Sequence, residues 1–161
     1  MNKMKDKINH LWKTNRKECK IAIFILVVVI VIVISTTKQR GITDNVVINI
    51  GESSKFTEEE INKAVDCVIN NFDLSGCTLT KIWYDEEKSN SSVEGYLQCG
   101  RGSKNGVNPE NVIILLSNFD VDDSGDILAL NPNSTYTNYN WILIRTSKRS
   151  KWRIDDRGYG L

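Results

Sequence analysis

The chain has 161 residues, of which 21 are Lys or Arg and 20 are Asp or Glu, for a net charge of +1. Its only histidine, His10, lies close to the N-terminus, so the rest of the chain cannot build a Ser-His-Asp or Cys-His arrangement or a His-ligated zinc site. Three of the four cysteines, Cys67, Cys77 and Cys99, fall after residue 41. An odd number in a segment long enough to be stabilised by core burial argues against a disulfide-built scaffold, although a Cys67 to Cys77 bridge is geometrically conceivable.

Residues 1–20 read as a basic cytoplasmic tail, with seven Lys or Arg against Asp6 and Glu18. They precede an apolar run from Ile21 to Ile34 that continues uncharged through Thr37, giving seventeen residues between Lys20 and Lys38. At about 1.5 Å per residue this is roughly 25 Å of helix, which snorkelling by the two lysines extends towards a hydrocarbon core of about 30 Å. The run predicts a single transmembrane helix over 21–37. It is read as an uncleaved signal anchor, with a cleaved signal peptide as the alternative. The positive-inside bias places the N-terminus in the cytoplasm and the remainder outside the cell membrane.

Dividing the chain there uncovers a charge asymmetry. Residues 41–161 carry 12 Lys/Arg and 18 Asp/Glu, a net of −6. An acidic exterior domain is poorly suited to nucleic acid, whose binding is dominated by phosphate contacts, so no nucleic-acid partner is expected. The basic tail suits topology and contact with anionic lipid.

Residues 38–55 read as a juxtamembrane linker whose apolar patch, Val46 to Ile50, either adds a strand or packs on the domain. The extracytoplasmic domain proper is assigned to 56–160. It opens with Thr57 three residues before Glu60, a capping box, flanked by Phe56 and Ile61 as a hydrophobic staple. Ile61, Ala64, Val65, Val68, Ile69 and Phe72 then recur at helical spacing, until Asn70, Asn71 and Gly76 mark the end.

Residues 77–86 are rich in strand formers, with a break in alternation around Lys81 to Trp83 that predicts a bulge or an edge position. Residues 89–99 fit a short helix ending at Gly100, or a strand; a loop through Gly102, Asn105, Gly106 and Asn108-Pro109 follows. Val112 to Leu116 and Trp141 to Ile144 read as strands covered on both faces, and Lys151 to Asp155 as an outer strand. Three consecutive strands predict antiparallel pairing with helices on one face, the α+β class.

Several strings carry a resemblance: Phe56-Thr57-Glu58-Glu59-Glu60-Ile61, Gly76 to Glu86, Leu130-Asn131-Pro132-Asn133-Ser134-Thr135-Tyr136, Trp141 to Arg145, and Trp152 to Gly160. Over residues 52–160 they resemble a bacterial family of secreted or membrane-anchored proteins, domain-of-unknown-function family 4829. The resemblance implies a nuclear transport factor 2-like or cystatin-like fold, in which a curved antiparallel sheet of about four strands packs on one long helix. It implies no activity and no catalytic residues.

Two candidate sites stand out. Asp120, Asp122, Ser124 and Asp126 alternate ahead of and around Gly125, as at the start of a calcium loop, but the twelfth position is Asn131 rather than a bidentate glutamate. Calcium is the only cofactor the sequence suggests, and a solvated hairpin loop is the competing reading. Trp83, Tyr136, Trp141, Arg145 and Trp152 would line a ligand pocket if they shared a concave sheet face, and would otherwise be core and cross-strand pairs. Arg145 and Arg153, near Asp155 and Asp156, fit either an anionic ligand or ion pairs.

The expected function is therefore a non-enzymatic binding or protein-interaction module with a protein or small-molecule partner outside the cell. The alternative is an envelope enzyme using Asp85, Asp155 and Asp156 as paired carboxylates, which requires two of them to face one cavity.

Overall fold

In a computed structural model the described residues are 23–27, 40–123 and 130–159. The chain divides into two compact units, residues 1–38 and 39–161.

In the first unit, residues 23–27 are helical and their side chains are exposed. The expected transmembrane helix is not borne out: among the described residues no helix is long and apolar enough to cross a membrane. Five helical residues extend only about 7.5 Å, and the rest of the 21–37 span lies outside the described residues.

The second unit is built on a five-stranded sheet in sequence order: β1 (Val47–Ile50), β2 (Cys77–Tyr84), β3 (Val112–Val121), β4 (Thr135–Ile144) and β5 (Arg153–Gly158). Helix α1 (Glu58–Asn70) joins β1 to β2, and these two strands pair in parallel, from Val47 opposite Lys81 to Ile50 opposite Tyr84. A helical crossover is what lets neighbouring strands run the same way. The other three pairings are antiparallel.

Helix α1 starts where its sequence says it should. Thr57 Oγ1 accepts the Glu60 N–H at 3.2 Å and Glu60 Oε2 accepts the Thr57 N–H at 2.9 Å, completing the capping box. Phe56 and Ile61 are both buried in one core cluster, as the staple requires. The apolar stripe Ile61, Ala64, Val65 and Val68 is buried, and Asn71 closes the helix with its side-chain amide donating to the Cys67 carbonyl at 2.7 Å.

Helix α2 (Glu86–Gln98) confirms the helical reading of 89–99 and begins earlier, because Asp85 caps it by accepting the Lys88 N–H at 3.0 Å. The loop expected after it contains a one-turn helix, α3 (Gly102–Asn105), and a 3₁₀ turn at Pro109–Asn111. Gly102 lies directly on the Tyr96 ring, so close that a Cβ would come within 2.6 Å of a ring carbon. The backbone of α3 therefore packs on Tyr96 where no larger residue fits.

Two apolar clusters lie on opposite sides of the sheet, and alternation along β3 and β4 assigns residues to each. Ile113, Leu115, Phe119, Trp141 and Leu143 join α1, while Val112, Ile114, Ile142 and Ile144 join Val93 and Tyr96 of α2. The apolar runs Val112 to Leu116 of β3 and Trp141 to Ile144 of β4 are thus covered on both faces, as their continuity predicts. Where β2 runs out, the Ser89 hydroxyl of α2 accepts the Ile114 N–H at 3.1 Å and replaces a ladder partner.

The expected nuclear transport factor 2-like or cystatin-like arrangement is accordingly corrected. The class is α+β, but there are five strands rather than about four, one edge pairing is parallel, and helices cover both faces instead of one. The physical reason lies in two short segments. The Val46 to Ile50 patch becomes an edge strand, and α2 supplies the cover that the second apolar face of β3 and β4 requires.

Other details match the sequence. A register shift between Leu79 and Lys81 places a bulge in β2, beside the break in alternation. Asn133 adopts a φ of 53°, the left-handed turn geometry that asparagine tolerates. β5 is the outer strand, displaced a little towards the C-terminus of the expected segment.

Candidate functional site

The site forms where the end of β4 and the β4–β5 turn meet the solvent side of α1. Arg145, immediately after β4, is only 6% exposed. A buried guanidinium needs partners for its charge and its donors. Its Nη1 donates to Glu60 Oε1 at 2.7 Å and to the Lys148 carbonyl at 3.4 Å, and its Nε donates to Asn111 Oδ1 at 3.2 Å.

Glu60 joins two tasks. One carboxylate oxygen completes the α1 capping box and the other receives Arg145. Burial alone would raise its pKa, but the Thr57 N–H, the Arg145 guanidinium and the Thr57 hydroxyl outweigh it and hold the carboxyl below its ordinary value. The Glu60 carbonyl also accepts the Trp152 indole N–H at 3.0 Å. One residue of the first turn of α1 thus ties down both sides of the β4–β5 turn.

Aromatic rings complete the support. The Arg145 guanidinium lies 4.3 Å from the Trp152 ring and 5.7 Å from the Phe56 ring. Phe56 meets Trp152 edge-on at 5.8 Å and Tyr84 edge-on at 6.2 Å. The turn itself is braced by the Ser150 N–H donating to the Ser147 carbonyl at 2.9 Å and by hydroxyl contacts among Thr146, Ser147 and Ser150.

Over this frame lies a cleft of about 870 Å³. One wall is α1, through Glu60, Lys63, Asp66, Cys67, Asn70 and Asn71; the other is Arg145 and residues 148–152. The half-buried Cys67 thiol donates to the Trp152 carbonyl at 3.3 Å, and burial pushes its pKa up. Lys148, Arg149 and Lys151 are exposed on the turn and have no ion-pair partner among the described residues.

Of the five aromatic and basic residues singled out by sequence, the structure brings together Arg145 and Trp152. Trp141 is fully buried in the core, with its indole N–H donating to Ser117 Oγ at 2.9 Å. Tyr136 stacks on Phe119 at 5.2 Å and 5°, and its hydroxyl accepts the Asn131 N–H at 2.9 Å. Trp83 alternates with Ile82 and Tyr84, which face α1, and carries the Lys81 ammonium 5.0 Å from its ring.

At the acidic loop, Asp120 Oδ1 accepts the Thr135 hydroxyl at 2.7 Å, and the Asp122 backbone pairs with Gly76 and Asn133. Ser124 and Asp126 lie outside the described residues. Among the described residues no group of three His, Cys, Asp or Glu side chains is arranged to hold a metal ion.

The three carboxylates considered for an enzyme have local partners. Asp85 caps α2. A bulge in β5 leaves Asp155 without a cross-strand partner and aims it at Tyr96, whose hydroxyl donates at 2.6 Å, while Arg153 lies 3.0 Å away. Asp156 is 3.6 Å from Arg101. Cys67, Cys77 and Cys99 are free thiols, so the Cys67 to Cys77 bridge is absent.

Sequence reasoning missed Glu60, Lys63, Cys67 and the basic turn as parts of one site. The cluster Lys148-Arg149-Ser150-Lys151 in an otherwise acidic domain was the available signal.

Residues 54–158 match the model of the family described as Domain of unknown function (DUF4829). No curated protein matches the chain, and no solved structure does. The matched segment takes in all of α1, β2 to β5 and both walls of the cleft, and it is well over half of the chain: the protein belongs to the DUF4829 family.

Proposed function

We propose that residues 39–161 act as a non-enzymatic binding module on the outer side of the cell membrane, and that the cleft between α1 and the β4–β5 turn is its ligand site. The observation that carries this reading is a cleft of about 870 Å³ whose floor is fixed by the Arg145, Glu60 and Trp152 contacts. A volume of this size accommodates a small molecule or a short chain segment. A rigid floor lowers the ordering cost of binding. The location is proposed from the sequence alone, in which a lysine-rich segment and an apolar run with the pattern of a signal peptide precede an acidic remainder.

The reading is tested by placing a photo-crosslinking residue at Asn70, in the cleft wall, and separately at Lys104 on α3, in the full-length protein in intact cells. Capture of a discrete ligand from position 70 and not from position 104 is the expected result. Equal capture from both positions, or none from position 70, would refute the cleft as the site.

A further inference from the structure

The cleft has a charge opposite to that of the domain containing it. Five cationic side chains line it, Lys63, Arg145, Lys148, Arg149 and Lys151, against the carboxylates of Glu60 and Asp66, a net of +3. Residues 41–161 as a whole carry −6. Glu60 is already neutralised by Arg145, and Lys63 is paired with Glu59 at 2.7 Å. The three turn cations remain without ion-pair partners among the described residues, and they flank Arg145 in the same lining.

We propose that this cleft binds a polyanion, a ligand presenting two or more phosphate or carboxylate groups to Lys148, Arg149 and Lys151. The proposal rests on the binding reading above and supplies the chemical class of its ligand. A single exposed ion pair contributes little, so one negative group would be held weakly. Several cations converging on one cleft act on a multivalent anion together, and a concave wall focuses their field. The guanidinium fork suits planar carboxylate and phosphate oxygens, and the lysines add point charges. Like charges gathered at the turn repel one another when the cleft is empty, and an anion relieves that repulsion.

The shared chemistry has two sources, a soluble polyanion and an array of anionic lipid headgroups, and two arms separate them. The full-length protein is titrated with inorganic tripolyphosphate by calorimetry at low and at raised salt. In parallel it is sedimented with phosphatidylglycerol vesicles and with phosphatidylcholine vesicles. Each measurement compares the natural protein with a Lys148→Gln, Arg149→Gln, Lys151→Gln variant and with a Lys81→Gln, Lys104→Gln control, whose cations lie outside the cleft.

The expected result is saturable binding of at least one probe that weakens by about tenfold or more in the triple variant and on raising salt, and is unchanged in the control. Tripolyphosphate binding identifies a soluble ligand, and cleft-dependent binding to phosphatidylglycerol alone identifies lipid headgroups. Equal weakening in the control and the triple variant would mean diffuse attraction and would overturn the proposal. So would binding that survives in the triple variant, which the basic N-terminal segment could supply, or no binding of either probe at millimolar concentration. Matching thermal melts of the variants and the natural protein establish that the turn substitutions leave the fold intact. A neutral ligand captured at position 70 together with failure here would retain the binding site and discard its polyanion chemistry.

Discussion

Arg145 Nη1 donates to Glu60 Oε1 at 2.7 Å with only 5% and 13% of the two side chains exposed, joining the end of β4 to the first turn of α1. The partners are 85 residues apart in sequence. Their contact is the point at which the helix, the sheet and the cleft become one structure.

Removing one partner leaves the other charge largely buried and unpaired. Arg145→Met is therefore expected to destabilise the protein by about 3 kcal/mol, and the double variant Arg145→Met, Glu60→Gln to recover part of that loss. Urea denaturation of the natural, single and double variants measures it. A double variant as unstable as the sum of both singles would show that the pair is not coupled.

Glu86 makes stability depend on acid. Hydrogen bonds from the Ser53 and Ser54 hydroxyls, and from the Lys55 and Ser54 backbone N–H groups, outweigh its desolvation and lower its pKa from 4.5 to about 2. A folded-state pKa below the unfolded one contributes stability that is complete above about pH 4.5 and disappears as pH falls towards 2. The same sign holds for Glu60. Thermal melting between those limits is expected to show a falling midpoint on acidification, with a shallower slope in Glu86→Gln. Identical slopes in the two proteins would remove Glu86 as a contributor.

Tyr84 is 2% exposed, and among the described residues its hydroxyl makes no hydrogen bond of good geometry, although the Ser53, Ser89 and Glu86 side chains lie near it. An orphaned buried hydroxyl carries a desolvation cost that phenylalanine lacks, so Tyr84→Phe is expected to be neutral or to stabilise by up to about 1 kcal/mol. A clear drop in denaturation midpoint would reveal a bond that the hydroxyl does make.

The free thiols differ in environment. Cys99 is exposed, whereas burial, reinforced by Asp122, pushes Cys77 up to about 11, and burial raises Cys67 despite a backbone hydrogen bond. In a Cys19→Ser background at about pH 8, a thiol-specific reagent is expected to modify Cys99 rapidly and the other two only slowly. Mass mapping of the first labelled peptide gives the answer, and early labelling at Cys77 would contradict its burial.

Core alternation also has a direct consequence. Ile114 is fully buried on the α2 side of β3, while Ile48 of the edge strand is 47% exposed. Ile114→Ala is expected to cost about 2–5 kcal/mol, with Ile48→Ala well below that range. Comparable losses at the two positions would refute the assignment of β1 as an exposed edge.

What sequence alone determined was local. The Thr57 and Glu60 capping box, the α1 stripe, the continuous apolar runs of β3 and β4 and the Asn133 turn each express contacts spanning a few residues, so their spacing is written in the chain. The tertiary structure decided what depends on distant partners. Whether Val47–Ile50 becomes a strand depends on the free edge of β2, and whether helices cover one face or both depends on where α2 returns across the sheet. The same holds at the site. Trp141 and Tyr136 look like ligand-binding aromatics until Ser117, Asn131 and Phe119 occupy them, and Arg145 gains its role only when Glu60 is brought to 2.7 Å. Residue type sets what a side chain can do; its partner across the fold determines which of those things it does.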